Sequence, residues 1–157
     1  MTTTLDTLID NVEAELVTEL KTNVQGIRDI FFDDDIPIVL NFPSVHFQLD
    51  RATPTQFETN DPPDFEDWTL RYDVACMSAG FETTKSFKAA RKFTNRVYDV
   101  LRGQQAYSEF LDGNCLDIGI EEIVYGYIEL GQFNDSNKTM KIKGGVIKLL
   151  LRVVEER

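Results

Sequence analysis

Between Trp68 and Cys76 apolar and polar residues alternate without a break. Trp68, Leu70, Tyr72, Val74 and Cys76 fall in one phase, and Thr69, Arg71, Asp73 and Ala75 in the other. A period of two fits an extended strand with one face buried and the other wetter, the habit of antiparallel sheets. The rest of the chain must supply neighbours for this strand and a layer to cover its apolar face.

Two amphipathic helices can supply the layer. Leu5, Leu8, Ile9, Val12, Leu16, Leu20 and Val24 recur at three- and four-residue steps, with Asp6, Asp10, Glu13, Glu15, Glu19 and Lys21 largely off that stripe. Thr3 or Thr4 offers an N-cap oxygen, Asp6 suits the positive helix start, and Gly26 marks a stop. Residues 27–32 are expected to add a turn before the acidic run Asp33, Asp34 and Asp35. A second helix is expected from Thr83 or Thr84 to about Leu101, with Phe87, Ala90, Thr94, Val97, Tyr98 and Leu101 along one side. Gly103 is placed to close it in the left-handed conformation.

Further strands can be read around these helices. Residues 36–43 are apolar but carry Pro37 and Pro43, which predicts an edge or broken strand. Val45, Phe47 and Leu49 then alternate with His46, Gln48 and Asp50. Residues 52–67 turn polar, include Pro54, Pro62 and Pro63, and read as a long loop. Two long strands end the sequence. In residues 116–130, Ile118, Ile120, Val124, Ile128 and Leu130 are in one phase; Glu121-Glu122 interrupts it and marks a candidate bulge. In residues 141–154, Ile147, Leu149, Leu151 and Val153 share a face, and the turn-rich residues 131–137 join the pair into a hairpin. The order predicts a single α+β domain over residues 1–157, an antiparallel sheet of about four strands with both helices packed on one face.

Charge limits the partners. Sixteen Lys and Arg stand against 27 Asp and Glu, a formal net charge of -11, so the chain repels a phosphate backbone, and groove reading of nucleic acid is not expected. Cys76 and Cys115 are far apart and in no metal-binding spacing, which suits lone thiols in a reducing compartment. The first residues lack the basic start and apolar stretch of a signal peptide, and no apolar run is long enough to span a bilayer. A soluble protein made in a cytoplasm is expected.

Chemistry-bearing patterns are sparse. His46 is the one histidine, reads as an exposed strand residue, and has no nucleophile motif to serve; Gly144-Gly145 precedes a strand and not a phosphate-binding helix. Asp33, Asp34 and Asp35 lack the spacing of a calcium loop, and Asp61, Asp64, Glu66 and Asp67 lie in the proline-containing loop. Each acidic set reads as solvated surface. Lys85, Lys88, Arg91, Lys92 and Arg96 make the second helix the basic element of an acidic chain. An acidic surface and a basic helix on one molecule allow head-to-tail self-association, which closes into a ring where the rotation permits.

Three features carry a resemblance: the N-terminal helix leading into the proline-flanked residues 36–43, the run Trp68-Thr69-Leu70-Arg71-Tyr72-Asp73-Val74 leading into a basic helix, and the last strand around residues 145–153. In these, across nearly its whole length, the chain resembles the tail terminator and tail-completion proteins of long-tailed bacteriophages. The resemblance implies a homo-oligomeric, hexameric ring seated on the tail tube protein, which stops tube growth and meets the head-closure or connector protein. It implies a virion location at the tail–neck junction, assembly in the host cytoplasm, no cofactor and no catalysis. DNA would pass through the ring without specific binding. The interface or lumen candidates are Asp33, Asp34, Asp35, Asp61, Asp64, Glu66, Asp67, Lys85, Lys88, Arg91, Lys92 and Arg96. The length of the 52–67 loop leaves open a neighbouring neck or head-closure component. An enzyme with an acidic metal site, or a monomeric adaptor binding a peptide at its edge strand, are the readings from other classes.

Overall fold

The computed structural model describes residues 4–35, 37, 41–54, 65–78, 86–103, 114–130 and 140–156. Helix α1 spans Leu5–Asn23. The Thr4 side chain caps it by accepting from the Thr7 backbone N–H at 3.3 Å, and Asp6 lies in the first turn. Val12, Leu16 and Leu20 are fully buried along its apolar stripe. Val24 leaves the helix in an extended conformation, and Gly26, with φ of 84°, turns the chain back.

That reversal sends the chain into the sheet. Residues 29–32 are not an added helical turn but strand β1, Asp29–Phe32, running parallel to β2, Ser44–Pro54. Its aromatic rings explain the choice: Phe32 stacks on Phe47 at 5.0 Å on one face, and Phe31 on His46 at 4.7 Å on the other. Pro37 and residues 41–43 lie outside strands, while Ile36 and residues 38–40 fall outside the described residues.

Strand β3, Phe65–Met77, pairs antiparallel with β2, so the expected 52–67 loop is shorter than its sequence suggests: residues 52–54 and 65–67 are in strands. Pro54 is tolerated because β1 reaches only Phe47, and the far side of β2 has no described partner there. Helix α2, Ser86–Gly103, is followed by β4, Asp117–Leu130, and β5, Met140–Glu156. Gly103 is the last helical residue and has no positive φ, contrary to the expected left-handed cap.

The result is an α+β fold with a five-stranded mixed sheet in the order β1-β2-β3-β5-β4, in place of the four antiparallel strands expected. The extra strand is the parallel β1. Both helices do lie on one face. Val12, Leu16 and Leu20 of α1 and Phe93, Val97 and Leu101 of α2 join Phe47, Tyr72, Val74, Ile147 and Leu149 in one core. Each such fully buried side chain contributes about 1.5–3 kcal/mol from its removal from water. Thr94 of α2, itself fully buried, sits directly over Gly145 of β5.

Two bulges shape the sheet. Asp50 is skipped between Leu49 and Arg51, and Glu121 between Ile120 and Glu122. Past Glu121 the phase of β4 flips. Ile123 and Tyr125 turn to the helix side, opposite Ile147 and Gly145, and Val124, expected in phase with Ile118, is about half exposed on the other face. The β4–β5 ribbon then continues past the end of β3. β3 and β5 pair no further than Met77 and Gly144, whereas β4 and β5 stay in register for Tyr127–Lys143, Ile128–Ile142, Glu129–Lys141 and Leu130–Met140.

Candidate functional site

The sheet order separates the charged residues. Near the β1 edge an acidic cluster forms, in which α1 supplies Asp10 and Glu13 and the turn after β1 supplies Asp33. Asp33 is a left-handed residue, φ 49°, whose Oδ1 accepts the Leu49 backbone N–H at 3.0 Å. Its own N–H reaches the Phe47 carbonyl at 2.8 Å, and its carbonyl accepts from His46 Nε2 at 2.8 Å. These contacts anchor the turn, so Asp33 is structural as well as acidic, and His46 is a half-buried partner of that turn and not a freely exposed histidine. Asp34 and Asp35 follow, exposed.

Tyr72 of β3 lies beneath this cluster and donates its hydroxyl to Glu13 Oε1 at 3.1 Å. Burial raises the Glu13 carboxyl above the ordinary carboxylate range; the Tyr72 hydrogen bond works the other way, and the charges of Asp33 and Asp10 add to the rise. Burial, followed by the Glu13 charge, pushes the Tyr72 hydroxyl up too. Several carboxylates therefore share one local field.

At the far edge, α2 packs over β5, and Tyr125 of β4 donates to Asn95 of α2 at 2.5 Å. Ala90, Phe93, Thr94, Val97 and Leu101 are buried against the sheet, and helical spacing puts Lys88, Arg91, Lys92 and Arg96 on the exposed side. A shallow, open concavity there is lined by Ala89, Lys92, Asn95, Arg96 and Asp99. Arg96 lies over the Phe93 ring, 5.7 Å from its centroid. Among the described residues, no carboxylate lies within ion-pair distance of Lys88, Arg91 or Lys92.

The face of the sheet away from the helices carries a different arrangement. Asp67 pairs with Arg152 at 2.5 Å, Asp73 with Lys148 at 2.8 Å, and Arg71 with Glu121 at 2.9 Å. These pairs tie β3 to β5 and β4. Asp67 is thus a strand residue with an internal partner, and Glu66 lies beside it in β3 opposite Glu155. Asp61, Asp64 and Lys85 fall outside the described residues. The structure brings together neither the Asp33 to Asp35 run with Glu66 and Asp67, nor any of these with the basic helix.

The sequence pattern alone does not single out Asp10, Glu13, Tyr72, Asn95 or Tyr125. Glu13 had a signal, being a carboxylate at the border of the α1 apolar stripe; Tyr72 in a buried phase needs a partner for its hydroxyl. Both cysteines are buried, and burial raises the thiol of each, that of Cys115 to about 12. Among the described residues, no three His, Cys, Asp or Glu side chains form a group able to hold a metal ion, and no helix is long and apolar enough to cross a membrane. No protein-family model matches the chain, and no curated protein matches it.

Proposed function

We propose that the protein is a structural virion component of the tail terminator or tail-completion type, working as a ring of identical subunits at the tail–neck junction. Such a ring would cap the tail tube, stop its polymerisation and meet the head connector, with DNA passing through without specific binding. The observation that carries the reading is the β4–β5 ribbon, which runs on for four residue pairs beyond the end of β3. A two-stranded ribbon is marginal in water by itself. An extension with no third strand beside it among the described residues suits an element laid on a neighbouring subunit. The register sets Ile128 opposite Ile142 and Leu130 opposite Met140, two apolar pairs in the sequence of that extension.

Light scattering on the purified full chain, with electron microscopy of the same sample, tests the reading. Rings of one size, shown as a mass several times the 18.0 kDa of the chain, are expected at micromolar protein. A monomer at that concentration in moderate salt overturns it. The ring should also halt growth of its cognate tail tube in vitro, and tubes that lengthen unchecked in its presence would refute the capping role.

A further inference from the structure

Resting on that assembly reading, we infer that the contact between subunits pairs the basic outer side of α2 on one copy with the acidic α1–β1 surface of the next. Three observations converge on this pairing. The first is position. β1 and β4 are the two edges of the sheet; Asp10, Asp33, Asp34 and Asp35 gather by the first, while α2 is tied to the second through Tyr125 and Asn95. Both helices lie on the same face of the sheet, so the two surfaces sit in one layer at opposite ends. A rotation within that layer brings one against the other, and repeating it gives a head-to-tail series.

The second is charge. Lys88, Arg91 and Lys92 are exposed and have no carboxylate partner among the described residues, and Asp99 offsets only part of their field. The acidic surface is crowded with like charges. A chain of net charge -11 approaches a copy of itself favourably only where its concentrated basic patch leads. An acidic patch facing a basic one also excludes the two symmetric alternatives, acid on acid and base on base.

The third is that competing modes are guarded. The β4 edge exposes Asp117, Glu121 and Glu122 and carries the bulge at Glu121, both of which discourage edge-to-edge pairing. The β1 edge offers only four residues. On the open face of the sheet, Asp67, Asp73, Arg71, Lys148, Arg152 and Glu121 are already paired within the molecule. Among the described residues, the helix layer carries exposed charge of both signs with no ion pair between them, Lys88, Arg91 and Lys92 at one end and Asp10, Asp34 and Asp35 at the other.

Charge reversal in the full chain decides the matter. One variant carries Lys88→Glu, Arg91→Glu and Lys92→Glu; the other carries Asp10→Lys, Asp34→Lys and Asp35→Lys. Asp33 and Arg96 are spared because each has a structural contact. Every substituted residue is exposed, and circular dichroism checks that both variants fold. Each alone is expected to run as a monomer by light scattering at low salt. Mixed in equal amounts they should reassemble, because the reversed α2 of the first then meets the reversed α1 surface of the second, and their two native surfaces also match. Wild-type assembly should weaken as salt rises and the screening length falls below about 10 Å. If wild type assembles but the variants do too, or if monomeric variants fail to recombine, this contact is wrong and the assembly reading stands. If wild type is a monomer throughout, both fall.

Discussion

The close approach of α2 to β5 at Gly145 gives a sharp test of the fold. A Cβ built on Gly145 would lie 2.6 Å from both Thr94 Cγ2 and Thr94 Oγ1, and 3.1 Å from Thr94 Cβ. Thr94 has no easy escape. It is fully buried, its Oγ1 donates to the Ala90 carbonyl at 2.8 Å, and both branches of its side chain face the glycine. Gly145→Ala therefore forces α2 and β5 apart by tenths of an ångström, in the packed region beside Ile147 and Val97. Overpacking of this kind costs about 1–3 kcal/mol. Two contacts at 2.6 Å put this site in the upper half of that range, about 2–3 kcal/mol. Relief of glycine's entropy loss in a strand returns roughly 0.5–1 kcal/mol, which leaves a net loss of about 1–2.5 kcal/mol. Urea unfolding followed by the fluorescence of Trp68, the one tryptophan, should show the midpoint falling by roughly 0.5–1.25 M for a slope near 2 kcal/mol/M. Protein concentration is held fixed, because any assembly adds a concentration-dependent contribution.

The same contact defines the rescue. Thr94→Ala alone loses the Ala90 hydrogen bond and two buried heavy atoms, at a cost of about 1 kcal/mol. In the double variant the remaining approach is between two Cβ atoms, which small adjustments can relieve. The double variant should then be at least about 1 kcal/mol more stable than the sum of the two single effects. An unchanged midpoint for Gly145→Ala, or strict additivity in the double variant, would refute the close packing of α2 on β5.

The acidic cluster makes a pH prediction. The folded Glu13 carboxyl binds its proton more tightly than the unfolded one, so its stabilising contribution is full below the ordinary value of 4.5 and is lost as pH rises through the raised folded value. Glu13→Gln keeps an acceptor for Tyr72 and should remove that loss, so thermal melts of variant and wild type should separate above pH 4.5 in favour of the variant; parallel profiles would sink the assignment. Asp33 separates two local effects in urea titrations. Asp33→Ala loses the acceptor for Leu49 and places a Cβ-bearing residue without a compensating side chain at φ 49°, costing about 1–3 kcal/mol. Asp33→Asn keeps an acceptor and tolerates the conformation, so it should cost clearly less, and equal losses for the two would remove the anchoring role.

How far the sequence predicts this molecule depends on how local each signal is. The α1 stripe, the alternation from Trp68 to Cys76 and the terminal hairpin are patterns of single elements, and all reappear. β1 does not declare itself, because four residues of Asp-Ile-Phe-Phe carry no resolvable period, and the reversal at Gly26 that makes them a strand is a single backbone angle. The polar loop is shorter at both ends than its composition suggests because long strands tolerate polar residues on a wet face: Glu66 and Asp67 are strand residues, and Asp67 has Arg152 beside it. The charged residues are legible as sets but not as surfaces. Asp10 and Asp33 are distant in sequence, and it is the parallel placement of β1 at the edge that brings them around Glu13.

The bulge at Glu121 shows how much one inserted residue decides. Two adjacent glutamates in an apolar strand are the visible clue, but the clue gives the place and not the consequence. Without the bulge, Val124 would face the core with Ile118 and Ile120, and Tyr125 would face away. With it, Ile123 and Tyr125 turn under the helix layer, and the Tyr125 hydroxyl reaches Asn95. Asn95 lies on the same exposed side of α2 as Lys92 and Arg96, beside the shallow concavity. The extra residue thus ties the basic helix to the edge strand, while Glu121 itself turns out to pair with Arg71 on the opposite face. Deleting Glu121 would restore the uninterrupted phase, withdraw Tyr125 from Asn95 and break the Arg71 pair together. The orientation of the basic surface and the charge balance of the open sheet face are therefore set by the same single-residue insertion.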